Sequence, residues 1–193
     1  YLQIKKTPSL FYLDFPRIYS IVSKSLRISP MTTYIDVIRH GEPVGGRRYR
    51  GHGVDDPLTE TGWAQMRAAV PVDPPWQQII SSPLLRCNAF AQELADDLGI
   101  PMDIMDEVKE IGFGEWEGKT PDEILAEDSQ ALEHFYADPV HNRPRGAEPL
   151  GAFSQRVWEA YMQIAEDYRG KHVLVVAHAG VASRRKAEQY IIE

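Results

Sequence analysis

The sequence predicts an α/β fold in which helices cover a mostly parallel sheet. Short β-branched runs at 34–38, 77–81 and 172–177 alternate with segments of helical spacing. Each run stops at polar residues, as buried parallel strands do at the ligand-binding edge of such a sheet. A length of 193 residues and a hydrophobic content of 43% suit one domain with a sizeable core.

Helix signals lie between and after these strands. Thr59 can cap a first helix, and a further helix is predicted to start at 120–123. Between them, Ser82 and Pro83 read as the N-cap and first-turn proline of a helix that ends at Gly99. The longest predicted helix carries an apolar stripe at helical spacing, formed by Leu150, Phe153, Val157, Tyr161, Ile164 and Tyr168.

The two ends of the chain differ from this pattern. Residues 1–30 begin without a methionine, lack clean periodicity and carry five basic residues against one acidic residue. We therefore interpret 1–30 as an extension outside the fold and 31–193 as the domain. Only 15 residues follow His178, and their apolar stripe is thin, so we expect a shortened C-terminal end. The sequence leaves open whether the fold is compromised there or completed in a homodimer.

Composition excludes several classes of function. The net charge is −7, and the basic extension leaves the remaining residues more acidic still, which argues against nucleic acid as a partner. No apolar run is long enough to cross a bilayer, and mean hydropathy is −0.37, so no membrane segment is predicted. Cys87 is the single cysteine and no zinc-finger spacing occurs, so we expect a cytoplasmic protein without a metal site.

Arginine and histidine side chains follow three predicted strands. Arg39 and His40 follow the first strand, Arg86 lies shortly after the second, and His178 follows the third. Because the carboxyl ends of parallel strands meet at one edge, these residues are candidates for one pocket. Guanidinium forks match phosphate oxygens, and neighbouring cations keep an imidazole neutral and nucleophilic. The cluster therefore predicts a phosphoryl-transfer site.

Five ordered segments match a known family. They read RHGE, DDPLTETGWAQ, SSPLLRCNAFA, EIGFGEWEG and VLVVAHAG, and they extend over roughly residues 33–181. In order and spacing they resemble the histidine phosphatase superfamily, also called the phosphoglycerate mutase-like family. The resemblance implies a three-layer α/β/α sandwich and a phosphatase that uses neither a metal nor another cofactor.

The resemblance also implies roles for individual residues. His40 would be the nucleophile that forms a phosphohistidine, and Arg39, Arg86 and His178 would bind the transferred phosphoryl group. Glu110, which lies eight residues before Gly118, matches the general acid of the family, although several other glutamates are close in sequence.

Two further substrate-binding candidates have alternative explanations. Arg50 belongs to the basic stretch 47–50, which could engage a second anionic group or form a solvated loop. Glu148 lies where relatives often carry a Gly-Glu-Ser stretch near the pocket, but an acidic residue at a helix start also explains it.

The predicted substrate is a small phosphorylated metabolite. Segment 103–147 is rich in acids, prolines and aromatics and is interpreted as a partial lid. The longer insertion typical of phosphoglycerate mutases is absent, which favours hydrolysis over phosphate return. Among compact relatives the sequence resembles the alpha-ribazole phosphatase type, so alpha-ribazole phosphate is one candidate substrate. A phosphoglycerate mutase-type phosphotransferase and a non-catalytic phosphate-binding relative stay open as alternatives.

Overall fold

The structure is a computed structural model and describes residues 10–14 and 32–182. Within these ranges, five strands form one sheet in the order β1-β2-β5-β3-β4. Strand β1 is antiparallel to β2, and the other neighbouring strands are parallel, which confirms the predicted mostly parallel sheet. The strands are β1 Leu10–Asp14, β2 Tyr34–Arg39, β3 Gln78–Ser81, β4 Met102–Ile104 and β5 His172–Ala177.

Helices connect these strands and cover both faces of the sheet. The described α-helices are α1 Glu60–Ala69, α2 Leu85–Leu98, α3 Pro121–Glu127, α4 Ala131–Ala137, α5 Leu150–Asp167 and α6 Ala179–Ala182. Two short 3₁₀ turns, Asp106–Val108 and Gly114–Trp116, lie between β4 and α3. None of the helices in the described part of the chain is long and apolar enough to cross a membrane.

Capping explains where several helices begin. Thr59 caps α1 as predicted, because its side chain accepts a hydrogen bond from the amide of Gly62. Thr120 forms a capping box at the start of α3, where the sequence predicted a helix start. The predicted N-cap at Ser82 is wrong, because Leu84 is still extended and α2 begins only after it. The hydroxyl of Ser82 instead lies beside a histidine described below.

The sheet separates two hydrophobic layers, because successive side chains of a strand point to opposite faces. On one face, Ile79 and Leu174 pack in a cluster with Phe90 of α2, and Met66 of α1 belongs to the same cluster. On the other face, Val37, Ile80 and Val175 pack with residues of α5. The predicted three-layer α/β/α sandwich is confirmed by this arrangement.

The predicted domain boundaries are only partly within the described residues. Strand β1 belongs to the segment that we interpreted as an extension, and it pairs with the edge of the sheet at β2. Residues 1–9, 15–31 and 183–193 lie outside the described residues, so the extension and the shortened C-terminal end stay predictions. Segment 103–147, the predicted lid, contains the two 3₁₀ turns together with α3 and α4.

Candidate active site

Backbone hydrogen bonds bring the carboxyl ends of three neighbouring strands together. The amide of His40, directly after β2, donates to the carbonyl of Ala177, the last residue of β5, at 3.0 Å. The amide of Ser82, directly after β3, donates to the carbonyl of Val176 at 3.0 Å. His178 is the next residue after β5, so it leaves the sheet between His40 and Ser82.

His40 has a defined tautomer and a low pKa. Its Nδ1 lies 2.7 Å from the carbonyl oxygen of Gly41, and a carbonyl only accepts, so Nδ1 carries the proton and Nε2 carries the lone pair. Burial, together with the charges of Arg86, Arg39 and Arg50, lowers the pKa of His40 to about 4. The imidazole is therefore neutral at pH 7 and can act as a nucleophile through Nε2.

His178 lies behind His40 and is fully buried. The two rings meet edge to face with their centroids 5.2 Å apart. The Nε2 of His178 lies 2.8 Å from the Ser82 hydroxyl and 3.6 Å from the sulfur of Cys87. Burial and the nearby charge of Arg86 lower the pKa of His178 well below its usual value. His178 is therefore a neutral support for the His40 ring in this arrangement.

Arg86 is a buried cation near the start of α2. Its two terminal nitrogens donate to the carbonyls of Val54 at 2.8 Å and Gly51 at 2.6 Å. Its Nε has no hydrogen-bond partner among the described residues. An unpaired buried N–H costs about 1–3 kcal/mol, and more when the group is charged, so this donor favours an incoming anion.

Glu110 contributes a carboxylate to the same region. Its Oε1 accepts from the amide of Ile111 at 3.1 Å, and its Oε2 accepts from the amide of Gly180 at 3.4 Å. The backbone carbonyl of Glu110 is held by His52 at 3.0 Å and by Arg156 at 3.1 Å. Hydrogen bonds thus hold both the carboxylate and the backbone carbonyl of Glu110.

His40, Arg86 and Glu110 open onto a cleft of about 540 Å³ at the carboxyl edge of the sheet. The cleft is larger than a phosphate ion needs and has room for a small ester. Its lining includes five of the residues predicted from the sequence, namely Arg39, His40, Arg50, Arg86 and Glu110. A neutral imidazole, several guanidinium groups and one fixed carboxylate therefore share one cavity, which is the composition that phosphoryl transfer needs.

A sequence profile of the histidine phosphatase superfamily (branch 1) matches residues 35–184. That range contains all the groups described around the cleft. The chain belongs to the histidine phosphatase superfamily. The family and the enzyme class predicted from the sequence are confirmed, and the chain is a phosphatase.

Similarity to individual phosphatases supports the same conclusion. The adenosylcobalamin/alpha-ribazole phosphatase of Escherichia coli (strain K12) is 31% identical over 151 residues, which cover 76% of this chain and 74% of the relative. The crystal structure of the alpha-ribazole phosphatase from Shigella flexneri is 30% identical, with a TM-score of 0.64 over 76% of this chain and 74% of that one. A mycobacterial glucosyl-3-phosphoglycerate phosphatase, 24% identical, shares the fold with a TM-score of 0.69 over 81% of this chain and 77% of that one.

Two predicted site residues of this histidine phosphatase lie outside the cleft lining. One is His178, which is fully buried and packs against the His40 ring. The other is Glu148, whose carboxylate pairs with Arg156 at 2.7 Å and accepts from the amide of Gly112 at 3.2 Å. Burial would raise the pKa of Glu148, but the hydrogen bonds and charge of Arg156 outweigh it and lower the pKa. The substrate contacts predicted for both residues stay predictions.

Arg50 lines the cleft but is largely occupied by its own loop. Its side chain is 9% exposed, and its Nε donates to Asp56 at 2.9 Å. Its Nη2 donates to the carbonyls of Val44 at 2.6 Å and Gly46 at 2.8 Å. Arg50 therefore fixes the loop after the RHGE segment, in addition to placing a positive charge near His40.

Sequence reasoning missed several residues of the site. Arg156, on α5, donates to the carbonyls of Glu107 and Lys109 as well as to Glu110, so it organises the backbone that carries the predicted acid. No motif marks Arg156, and helical spacing alone gives it no special position. The cleft lining also includes residues that had no assigned role, namely Glu42, Tyr49, Gln65 and Phe113.

Proposed function

We propose that this phosphatase hydrolyses small phosphomonoesters through a phosphohistidine on His40, without a metal ion. The observation that carries the proposal is the neutral His40 ring, whose Nε2 lone pair is free because Nδ1 is tied to Gly41, in a cleft lined by arginines. A neutral imidazole beside fixed cations is suited to attack a phosphate dianion, because the cations reduce the repulsion between them.

In the first step, Nε2 of His40 attacks phosphorus in line with the ester oxygen. The N–P bond forms as the P–O bond to the leaving group breaks, and Glu110 gives its proton to the departing alkoxide. In this proposal the guanidinium groups of Arg39 and Arg86, which line the cleft, donate to the phosphoryl oxygens. These fixed guanidinium groups supply the charge neutralisation that a metal ion supplies in other phosphoryl-transfer enzymes.

In the second step, water attacks the phosphohistidine. Glu110, now a carboxylate, takes a proton from the water as the N–P bond breaks, and inorganic phosphate is released. The carbonyl of Gly41 accepts from Nδ1 throughout and stabilises the positive charge that the ring carries while phosphorylated. The cycle returns His40 to its neutral form.

The proposed substrate is a small phosphorylated metabolite, with alpha-ribazole phosphate as one candidate. Relatives named as alpha-ribazole phosphatases at about 30% identity support this choice. The cleft volume fits a small ester, and the aromatic side chains of Tyr49 and Phe113 offer a surface for a planar group. A phosphoglycerate mutase-type transfer is the second candidate, and it would require the phosphohistidine to survive until an acceptor hydroxyl replaces water. A homodimer and a cytoplasmic location are proposed on the sequence alone.

The test is to trap the phosphoenzyme. The protein is mixed with ³²P-labelled phosphomonoester, quenched in alkali, where phosphohistidine survives, and compared with His40→Ala. The matched control is His134→Ala, since His134 lies on the exposed face of α4. We expect label on the wild type and on the control, and none on His40→Ala, with chelator present throughout. Label that persists on His40→Ala would overturn the assignment of the nucleophile, and a folded wild type that binds phosphate without label or turnover would favour the non-catalytic alternative.

A further inference from the structure

The arginines of the cleft fall into two groups. Arg39, Arg50 and Arg86 are the three whose charges act on His40. Arg47 and Arg48 also line the cleft but are not among the charges that act on His40, and the charge of Arg48 acts instead on Glu123 of α3, in the predicted lid. The cleft therefore has a cationic region around the nucleophile and a second one beside the lid.

Arg47 and Arg48 lie on a loop that backbone hydrogen bonds hold at both ends. Before it, the amide of Val44 donates to the carbonyl of Pro57 at 2.8 Å. After it, the amide of Tyr49 donates to the carbonyl of Lys119 at 2.9 Å, and the carbonyl of Tyr49 accepts from Gly118 at 2.7 Å. Within the loop, the buried side chain of Arg50 donates to the carbonyls of Val44 and Gly46 and so fixes its shape. A cation presented from a fixed loop loses less conformational entropy on binding than one on a free segment.

Arg48 is partly oriented already. Its Nε donates to the carbonyl of Gly45 at 2.9 Å, and Gly45 has a φ of 88°, a conformation that glycine adopts without strain. A side chain at that position would come within 3.2 Å of the Arg48 guanidinium, so the glycine also leaves room for it. Arg47 is exposed at the cleft, next to Arg48.

The charges of the cleft exceed those of a phosphomonoester. Arg47 and Arg48 line the cleft without an ion pair to any other described residue, whereas Arg50 is already paired with Asp56. A phosphate dianion at His40 can pair with Arg39 and Arg86, whereas the Nε and Nη2 donors of Arg50 are occupied within its own loop. It leaves Arg47 and Arg48 without a carboxylate or phosphate of the substrate to bind. The unused positive charge lies within the same cavity as His40.

We propose that Arg47 and Arg48 form a second anion subsite, so that the preferred substrate is a phosphomonoester carrying a further anionic group. A carboxylate or a second phosphate has the required chemistry. This inference rests on the proposed function for the position of the first phosphate, and it names a substrate class within that function. An ester with a single phosphate and no other charge would use only the arginines near His40.

Two substrates of nearly equal size test the subsite. 4-Carboxyphenyl phosphate carries the second anion, and 4-carbamoylphenyl phosphate replaces it with a neutral amide. The readout is the ratio of their kcat/KM values, measured as phosphate release, for wild type and for the double variant Arg47→Gln/Arg48→Gln. The matched control is Arg169→Ala, because Arg169 is exposed and lies just before β5, at the opposite edge of the sheet. A parallel pair, 1,3-propanediol bisphosphate and 3-hydroxypropyl phosphate, distinguishes a phosphate from a carboxylate preference.

We expect the wild type and the control to prefer the doubly anionic substrate by about fivefold to tenfold, as charge-assisted contacts at a partly exposed site allow. The double variant should lose most of this preference, chiefly through KM. Equal kcat/KM values in the wild type for both substrate pairs, or an unchanged preference in the double variant, would overturn the subsite.

Binding to His40→Ala separates this inference from the proposed function. Calorimetry of the two aryl phosphates with His40→Ala needs no turnover. If the wild type forms no phosphoenzyme but His40→Ala still prefers the carboxylated ester through Arg47 and Arg48, the proposed chemistry fails and the subsite stands. If turnover depends on His40 but neither assay shows a preference, the chemistry stands and the subsite fails.

Discussion

Replacing His40 with asparagine should make the protein less sensitive to mild acid. Asparagine keeps a side-chain amide that can donate to the Gly41 carbonyl in place of Nδ1–H, but it does not titrate. In the unfolded chain His40 takes up a proton near its ordinary pKa of 6.5, whereas in the folded protein it does so only near 4. Between about pH 4 and pH 6.5, folding is therefore accompanied by release of the proton that His40 carries in the unfolded chain.

The sign and size of the effect follow from this difference. Well above pH 6.5 both states are unprotonated at His40, and the residue contributes no pH dependence. As the pH falls below 6.5, the unfolded state binds more protons than the folded state, so wild-type stability decreases. A pKa of 6.5 against about 4 makes this loss about 2 kcal/mol at pH 5. The asparagine variant avoids this loss.

The assay is urea unfolding at pH 7 and pH 5, followed by tryptophan fluorescence, for wild type and His40→Asn. Other groups, His178 among them, reduce the stability of both proteins in acid, so the informative quantity is the difference between the two. We expect free energies of unfolding within about 1 kcal/mol of each other at pH 7, and a relative gain of about 2 kcal/mol for the variant at pH 5. Parallel losses in the two proteins would refute the argument that burial and the neighbouring arginines keep His40 neutral.

Two substitutions test the placement of Glu110. Glu110→Gln should lower kcat/KM for alkyl phosphomonoesters by about 10²–10³-fold. The loss should be much smaller for 4-nitrophenyl phosphate, because its leaving group needs no proton. Equal losses on both substrates would contradict a general acid role. Gly180→Ala should show the same leaving-group pattern, because its Cβ would stand 2.4 Å from Oε1 of Glu110 and 2.9 Å from the ring of Phe153. Gly151→Ala is its control, since a Cβ there meets nothing within 4 Å, and thermal melting should show a gain of up to about 1 kcal/mol with unchanged kinetics.

The elements that could be predicted are those with a burial pattern. Strand β5 was predicted with the observed bounds, because all its residues after His172 are buried and apolar, and three of them are valines. Strand β4 was not predicted, because Met102–Ile104 has only three residues and none of them is buried. Helix α4 was missed for the same reason, since none of its residues is buried. Short exposed elements depend on neighbours that sequence periodicity does not reveal.

In the site, too, some residues could be predicted from the sequence pattern and others depend on contacts that the pattern does not reveal. Residues that directly follow a strand, such as His40, could be assigned because the edge of a parallel sheet collects them. Arg156 could not be assigned, because its role comes from contacts with the carbonyls of Glu107, Lys109 and Glu110, which are 46 to 49 positions away in sequence. The occupation of Arg50 by its own loop could not be predicted either, since a basic run gives no sign of which member turns inward.

In the proposed reaction, the arginines act on His40 in opposite directions before and after substrate binds. In the empty cleft, Arg39, Arg50 and Arg86 oppose protonation and keep Nε2 available. Once a phosphate dianion lies among them, its negative charge largely cancels their effect on the ring, so the imidazole can accept the positive charge that forms with the N–P bond. The Nδ1 proton, held by Gly41, stays in place during this change. The same arginines thus keep His40 neutral in the empty cleft and permit its phosphorylated form once the phosphate is bound. This explains how several positive charges can surround a histidine that must be neutral before it attacks.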